Sequence, residues 1–578
     1  MTLLPSDVRK AIYVVDESGA PAILEQALGL APQGRKSALT PRLFLIGSIL
    51  SVQSRRHLVI AEIYRTLVYD IDLDLQIEMG IVDRTSGRAL FSEKSMERFS
   101  SRLSEKLEYG QGSAPDLDDA ERERRRLAVA HINEALLAPT LPTRTSAAYA
   151  MDTSAIWSWG RAPRKAPSNL LDLDAQIIEL GLDLGQMDML IEDSGSDPLL
   201  IGGEIGEPAK KKKVSEPYEL DARWGVKTDK DGGRISVFGF DLHVLVRVND
   251  INQDGALEAN LIEAIDVTPA NRDIVAPSLR LIDRVISGGK PFKELLCDRH
   301  YSYKLPERWA KQLWNRRIEQ VVDLHPNDQG FEDYNGAKLA AGVLHCPGTP
   351  DYLSKIKRPG PTASFEKKIE FSELIEVRQQ YAFSSVSSYP RRRSSCPAVA
   401  GKVGCPLRQG TVEAAIAGNR LVILNPPELR TAPPCCTQDT VEIKGDAQPK
   451  LWQKEYWGSK RWRLSNDRRT YVEGAFGNLK NASGENLGRG FFRITGLARV
   501  TLFLGIAATA HNMRQLGNWH QRTLNGDPDH PLLAPDSETL HVRLTMDEYA
   551  AVEVHRLELR LLGLSTVQPD AEHVQKAS

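Results

Sequence analysis

What most constrains the fold of this chain is a change of periodicity at Ala147. Before it, apolar residues recur three and four positions apart, as in Pro41-Arg-Leu-Phe-Leu-Ile-Gly-Ser-Ile-Leu and Leu58-Val-Ile-Ala-Glu-Ile-Tyr-Arg-Thr-Leu. Further helices are expected over Ser95–Leu107 and Asp118–Leu136, and Pro139 and Pro142 then form a linker. After Ala147 the runs take strand length. Ala148-Tyr-Ala-Met-Asp-Thr-Ser-Ala-Ile-Trp reads as a strand, followed by a loop ending in Lys210–Lys213. Strands are expected over Arg234–Val248 and Asn260–Val267, a helix over Ile274–Ile286, and a strand over Glu294–Asp298. A helix, Pro306–Arg317, and a strand, Glu319–Leu324, complete the series. Strands followed by alternating helix and strand predict an α/β fold with a sheet of mixed direction.

This pattern gives five segments. Residues 1–145 are a helical N-terminal domain, and 146–326 are the first part of a sheet domain. Residues 327–460, rich in Pro, Gly, Ser and Arg, read as a β-rich insertion with short pieces such as Arg420-Leu-Val-Ile-Leu. Residues 461–518 return to helical spacing, over Arg468–Leu479 and Leu497–Leu516, and complete the sheet domain. Residues 519–578 form a C-terminal tail with one helix, Met546–Leu561.

Charge alone argues mildly against a nucleic-acid binder, because the chain carries a formal net charge of −2. Its distribution argues otherwise: residues 352–470 hold 21 Lys and Arg against 11 Asp and Glu, offset by an acidic stretch from Asp172 to Glu207. A phosphate backbone responds to the local basic surface. No apolar run reaches the roughly 18 residues of a membrane-spanning helix. The chain begins without a signal-peptide pattern, and six cysteines in 578 residues are not a disulfide scaffold. A cytoplasmic protein is expected.

Two aspartates stand in or at the end of expected core strands: Asp152 after Tyr149-Ala-Met, and Asp298 after Leu295-Leu-Cys. Such positions open onto a sheet edge, where α/β proteins place chemistry, although Asp there more commonly caps a turn. A helix near the C-terminal end is more informative. Arg469, Glu473 and Lys480, spaced R-x(3)-E-x(6)-K, fall within roughly 40° of one another on one helical face. Val472, Phe476 and Leu479 occupy the neighbouring face. Ion pairing on a solvated helix would produce a similar pattern, but Arg four residues before Glu is the poorer orientation for it. Gly474 and Gly477 each cost a helix about 1 kcal/mol relative to Ala. Glycines kept at that cost imply close approach by another backbone or by DNA.

The segment Asn466-Asp-Arg-Arg-Thr-Tyr-Val-Glu-Gly-Ala-Phe-Gly-Asn-Leu-Lys-Asn resembles the signature helix of bacterial insertion-sequence DDE transposases, Y-x(2)-R-x(3)-E-x(6)-K. Asp152 in Ala150-Met-Asp-Thr-Ser and Asp298 in Leu295-Leu-Cys-Asp-Arg-His-Tyr resemble that family's first and second acids in order and context. Gly239-Phe-Asp-Leu-His243, Val267-Thr-Pro-Ala-Asn and Ala508-Thr-Ala-His-Asn512 resemble its second strand, the segment after its third, and its closing helix. The likeness covers residues 145–515, with one departure: Asn466 stands where the family has Tyr.

The resemblance implies a ribonuclease-H-like sheet with a β-rich insertion between the second Asp and the Glu. It implies a DNA transposase that cleaves element ends and joins them to target DNA. Asp152, Asp298 and Glu473 would hold two Mg²⁺ ions, with Mn²⁺ as a substitute. Arg469 and Lys480 would bind DNA phosphate. The partners would be double-stranded DNA, at terminal inverted repeats and at the target, and further copies of the chain in a dimer or larger assembly. The protein would be bacterial and nucleoid-associated when on DNA, with residues 1–145 recognising the element ends, while a dimerisation or packing role for that domain stays open. Two alternatives stay open: an inactive DNA-binding protein occupying those ends, and another ribonuclease-H-like nuclease.

Two further features come from the residues themselves. Cys346, Cys396, Cys405 and Cys435 all lie in the insertion, the first three each followed by Pro. They could bind structural Zn²⁺, although no C-x(2)-C pair is present and buried free thiols are the plainer reading. Aromatic and basic residues interleave over Tyr456–Arg463 and Arg489–Arg493. The first stretch is expected to touch DNA and the second to pack.

Overall fold

The structure is a computed structural model that describes residues 3–30, 37–162, 218–228, 234–251, 257–360, 362–444 and 447–533. The run Lys210–Lys213, the acidic stretch and the helix expected at Met546–Leu561 lie outside the described residues. By internal contacts the chain divides into two units. One comprises Met1–Leu107, Arg124–Thr140 and Leu502–Ser578, and the other Glu108–Glu123 and Leu141–Thr501.

The described part of the first unit is helical. Its centre is the helix Pro41–Gln53, in which every residue from Leu43 to Val52 is buried. Such all-round apolarity belongs to a helix enclosed by others. Phe44 on it stacks with Phe99 at 4.7 Å and meets Phe503 edge-on at 5.9 Å. The helices expected at 95–107 and 118–136 are present as Glu93–Leu107 and Asp119–Leu137. The segment after Leu58 is helical only to Arg65, then widens into a π-turn, Thr66–Asp70. Among the described residues, no helix is long and apolar enough to cross a membrane.

The second unit is mixed α/β. Six strands form its main sheet: β1 (Ala148–Trp157), β2 (Arg223–Thr228), β3 (Arg234–Val248), β4 (Ile262–Pro269), β5 (Glu294–Cys297) and β6 (Glu319–Val321). The order is β2-β3-β1-β5-β6, with β4 also pairing β3. β1, β3 and β4 run antiparallel, and β5 and β6 continue parallel to β1. The long apolar run of β3 explains its central place, because it pairs β2 along its first half and β1 and β4 along its second. Gly239 sits where the chain can carry no side chain, since a Cβ there would lie 2.0 Å from the Ile156 carbonyl oxygen.

Strand parity separates the two faces of this sheet. Tyr149, Met151, Leu245, Leu295 and Cys297 share one face and form a core with the helix Val275–Ser287 and with Tyr301 and Trp309. Asp152 and Ser154 point to the other face, where the helix Thr470–Lys480 packs on β1 and β3.

Residues 327–460 contain two three-stranded antiparallel sheets. One is β7 (Glu332–Tyr334), β8 (Ala337–Ala340) and β9 (Val343–His345); the other is β10 (Ser384–Ser387), β11 (Arg392–Ser395) and β12 (Thr440–Ile443). Between them runs a helix, Phe365–Gln380, that the Pro- and Ser-rich composition hid. The strand expected at Arg420–Leu424 is corrected: that stretch makes a single bridge, Gly404 to Val422.

Candidate active site

Three chain segments far apart in sequence bring their acids to one place. β1 and β5 are parallel neighbours in the register Met151 to Cys297, so the residues that follow, Asp152 and Asp298, emerge side by side on the same face. The helix Thr470–Lys480 lays Glu473 over them. Arg469, at its N-cap, joins all three: its guanidinium lies 2.8 Å from Glu473 and 3.8 Å from each of Asp152 and Asp298. Lys480, at the last turn, donates to Ser154 Oγ at 2.6 Å, two residues along β1 from Asp152. All five residues expected at the site are therefore gathered in one unit.

What holds the helix there was not legible in the sequence. Arg468, adjacent to Arg469, is buried and donates to the buried carboxylate of Glu294 on β5 and to the carbonyl of Asn249 at 2.8 Å. Ser465 and Lys454 complete the ring around Glu294, at 2.8 and 2.6 Å. Burial alone would raise the Glu294 carboxyl. Arg468 and Lys454 reverse this and hold it below its usual range. The only sequence signal was a second arginine beside the one in the motif. On the opposite face His243 is fully buried between Thr153 and Thr268, 2.9 Å from each, and burial pushes it down to about 4. It is a neutral structural imidazole.

The electrostatics of the site are those of crowded negative charge. Burial, then the nearby Asp298 and Glu473, pushes the Asp152 carboxyl up to about 6, against the opposing pull of the Thr153 N–H and Arg469. Burial, with Lys227 nearby, lowers the Lys480 ammonium to about 8. A consequence for stability follows. An acid with a raised pKa costs the folded state nothing below its unfolded value near 4, and the cost grows as pH rises through 6. In chelator-treated protein, Asp152→Asn should therefore raise the melting temperature at pH 8 by a few degrees, on the order of 2 kcal/mol. That gain should vanish near pH 4. An equal gain at both pH values would show that the carboxylate carries no such strain.

The glycines of this helix need correction. A Cβ on Gly474 or Gly477 would meet nothing within 4 Å among the described residues, so no protein backbone closes on them. They leave a bare, exposed surface beside Glu473. The reading of Tyr456–Arg463 as a DNA contact is also corrected. Trp457 and Trp462 are fully buried, and the Trp462 indole donates to Gln453 at 2.8 Å, while Lys460 and Arg461 turn outward. Burying two indoles is worth more than exposing them for stacking, so the cations alone snorkel. At Arg489–Arg493, Phe492 is buried, whereas Arg489 and Arg493 stack over Trp157 and Trp159 at 5.5 and 4.7 Å.

Hard carboxylate oxygens suit Mg²⁺, and the strain on Asp152 is what a cation among the three acids would relieve. In the arrangement described, Arg469 is the counter-ion. Among the described residues no group of three or more His, Cys, Asp or Glu is assembled to hold a metal ion. Comparison of the chain with family models, characterised proteins and solved structures finds no match.

Proposed function

We propose that this protein is a DNA transposase of the DDE type, cleaving element ends and joining them to target DNA at Asp152, Asp298 and Glu473. The observation that carries the reading is the convergence of three acids from three distant segments around the Arg469 guanidinium. A solvated helix pair accounts for the Arg469–Glu473 contact. It does not account for two further carboxylates on adjacent parallel strands reaching the same cation. The sheet supports the reading as well: three antiparallel strands continued by two parallel ones are compatible with a ribonuclease-H-like core.

When bound at the three acids, a pair of Mg²⁺ ions would activate the attacking oxygen and stabilise the leaving one. The chain's own residues do the rest. Arg469 balances the carboxylates in the free protein and, as a bidentate donor, is placed to hold phosphate once they are otherwise neutralised. Lys480, anchored to Ser154 and partly buried, offers a short-range positive charge on the same face. The bare surface at Gly474 and Gly477 lets a DNA backbone come close to Glu473.

The test uses the DNA that borders the gene. Purified protein, Mg²⁺ and duplexes carrying those borders should yield strand cleavage and then joining of the freed ends to a supercoiled plasmid. Cleavage without joining would favour a nuclease. Binding to the borders with neither reaction would favour an inactive end-binding protein, and either result overturns the proposal.

A further inference from the structure

We infer that the insertion carries a structural zinc site made by Cys346, Cys396, Cys405 and one thiolate of the vicinal pair Cys435-Cys436. Five of the six cysteines lie in this segment, all buried and none in a disulfide. They come from separate turns and, as arranged among the described residues, do not form a ready-made ligand group. Cys346 follows β9, Cys396 follows β11, Cys405 opens a turn, and Cys435 and Cys436 lie on the short helix Pro434–Thr437 that packs on β12.

Several contacts draw these turns together. A Cβ on Gly348, two residues after Cys346, would strike Ile423 and the Asn425 carbonyl. Val422, next to Ile423, bridges Gly404, which precedes Cys405. On its other side the Cys405 turn reaches the vicinal pair: Arg408 donates to the Gln438 carbonyl at 2.5 Å and to Asp439 at 3.1 Å. Cys396 is tied to the same turns: it follows Ser395, which pairs Thr440 on β12, the strand on which the helix of Cys435 and Cys436 packs.

Two of the turns are also prepared for thiolate. The N–H of Gly348 donates to the sulfur of Cys346, and the N–H of Leu407 to that of Cys405, each from two residues downstream. Donors of this kind orient and stabilise metal-bound sulfur. Zinc would displace the thiol protons and draw four sulfurs to about 2.3 Å each. The segment has reason to use it, because its two sheets are built from strands of three or four residues, shorter than the usual length of about five or six.

The full-length protein, purified without added metal or chelator, should contain about one equivalent of zinc by elemental analysis. The zinc should be released on titration with a mercurial. Cys396→Ser and the double variant Cys435→Ser/Cys436→Ser should lose it, while Cys297→Ser, altered in the main sheet, should retain it. Because a ligand variant could simply misfold, thiol reactivity of the unmodified protein is the second reading. The insertion thiols should resist a disulfide reagent until a zinc chelator is added, then react at least tenfold faster. Wild-type protein that holds no zinc after zinc loading and dialysis, or thiols equally reactive with and without chelator, would overturn the inference. The site is separate from the three acids, so either proposal can fail alone.

Discussion

Asp298→Asn should lower Mg²⁺-dependent nicking of DNA by about 10³-fold or more, roughly 4 kcal/mol of transition-state stabilisation, while leaving the fold intact. The reasoning starts from how little Asp298 does for stability. Its side chain is about half exposed, and its ion pair is the 3.8 Å contact to Arg469. Asparagine keeps the shape and removes only the charge, so the melting temperature should move by no more than a surface change does, within about 0.5 kcal/mol. A carboxylate that matters little to the folded chain yet lies beside two others has a chemical role to lose. If the variant nicks as fast as the wild type, Asp298 is a strand-end residue and no more.

Arg468→Ala should have the largest effect on stability. Arg468 and Glu294 are both buried, and removing one member of a buried pair leaves the other charge uncompensated, at a cost of about 3–5 kcal/mol. Lys454 still reaches Glu294 at 2.6 Å, which places the cost toward the lower end. The melting temperature should fall by about 4 °C. Activity should fall as well in protein that remains folded, because Arg468 fixes the first turn of the helix carrying Arg469 and Glu473. Glu294→Gln, which keeps hydrogen-bonding atoms, should be milder in both respects. Thermal melting of the two variants beside the wild type checks this, and an unchanged melting temperature for Arg468→Ala would show that the pair does not anchor the helix.

The sheet was legible because its strands are long or strongly apolar. β1 and β3 run over the residues their alternation and apolarity predict, Ala148–Trp157 and Arg234–Val248. The helix Thr470–Lys480 was legible from its apolar face and from the spacing of its charges. The insertion was less so. Its strands are too short for periodicity to register, and Phe365–Gln380, charged on most sides, reads as an ordinary polar stretch.

Within the site, the sequence pointed to the residues that could carry chemistry but not to those that hold them. The Glu294–Arg468 pair depends on a contact 174 positions apart, which no local pattern encodes. Interleaved Trp and Arg over Tyr456–Arg463 misled for a related reason. Aromatic-basic alternation is the same whether the rings face DNA or a core, and only tertiary packing decides.

The most direct measurement is divalent-ion binding at the three acids. Mn²⁺ should replace Mg²⁺ among oxygen ligands and avoid the thiols of the insertion, and its electron paramagnetic resonance signal counts bound ions. With a DNA duplex present, the wild type should bind Mn²⁺ that the Asp152→Asn/Asp298→Asn double variant does not bind, and Cys297→Ser should match the wild type. Equal Mn²⁺ binding by the wild type and the double variant would contradict a metal-dependent centre at Asp152, Asp298 and Glu473.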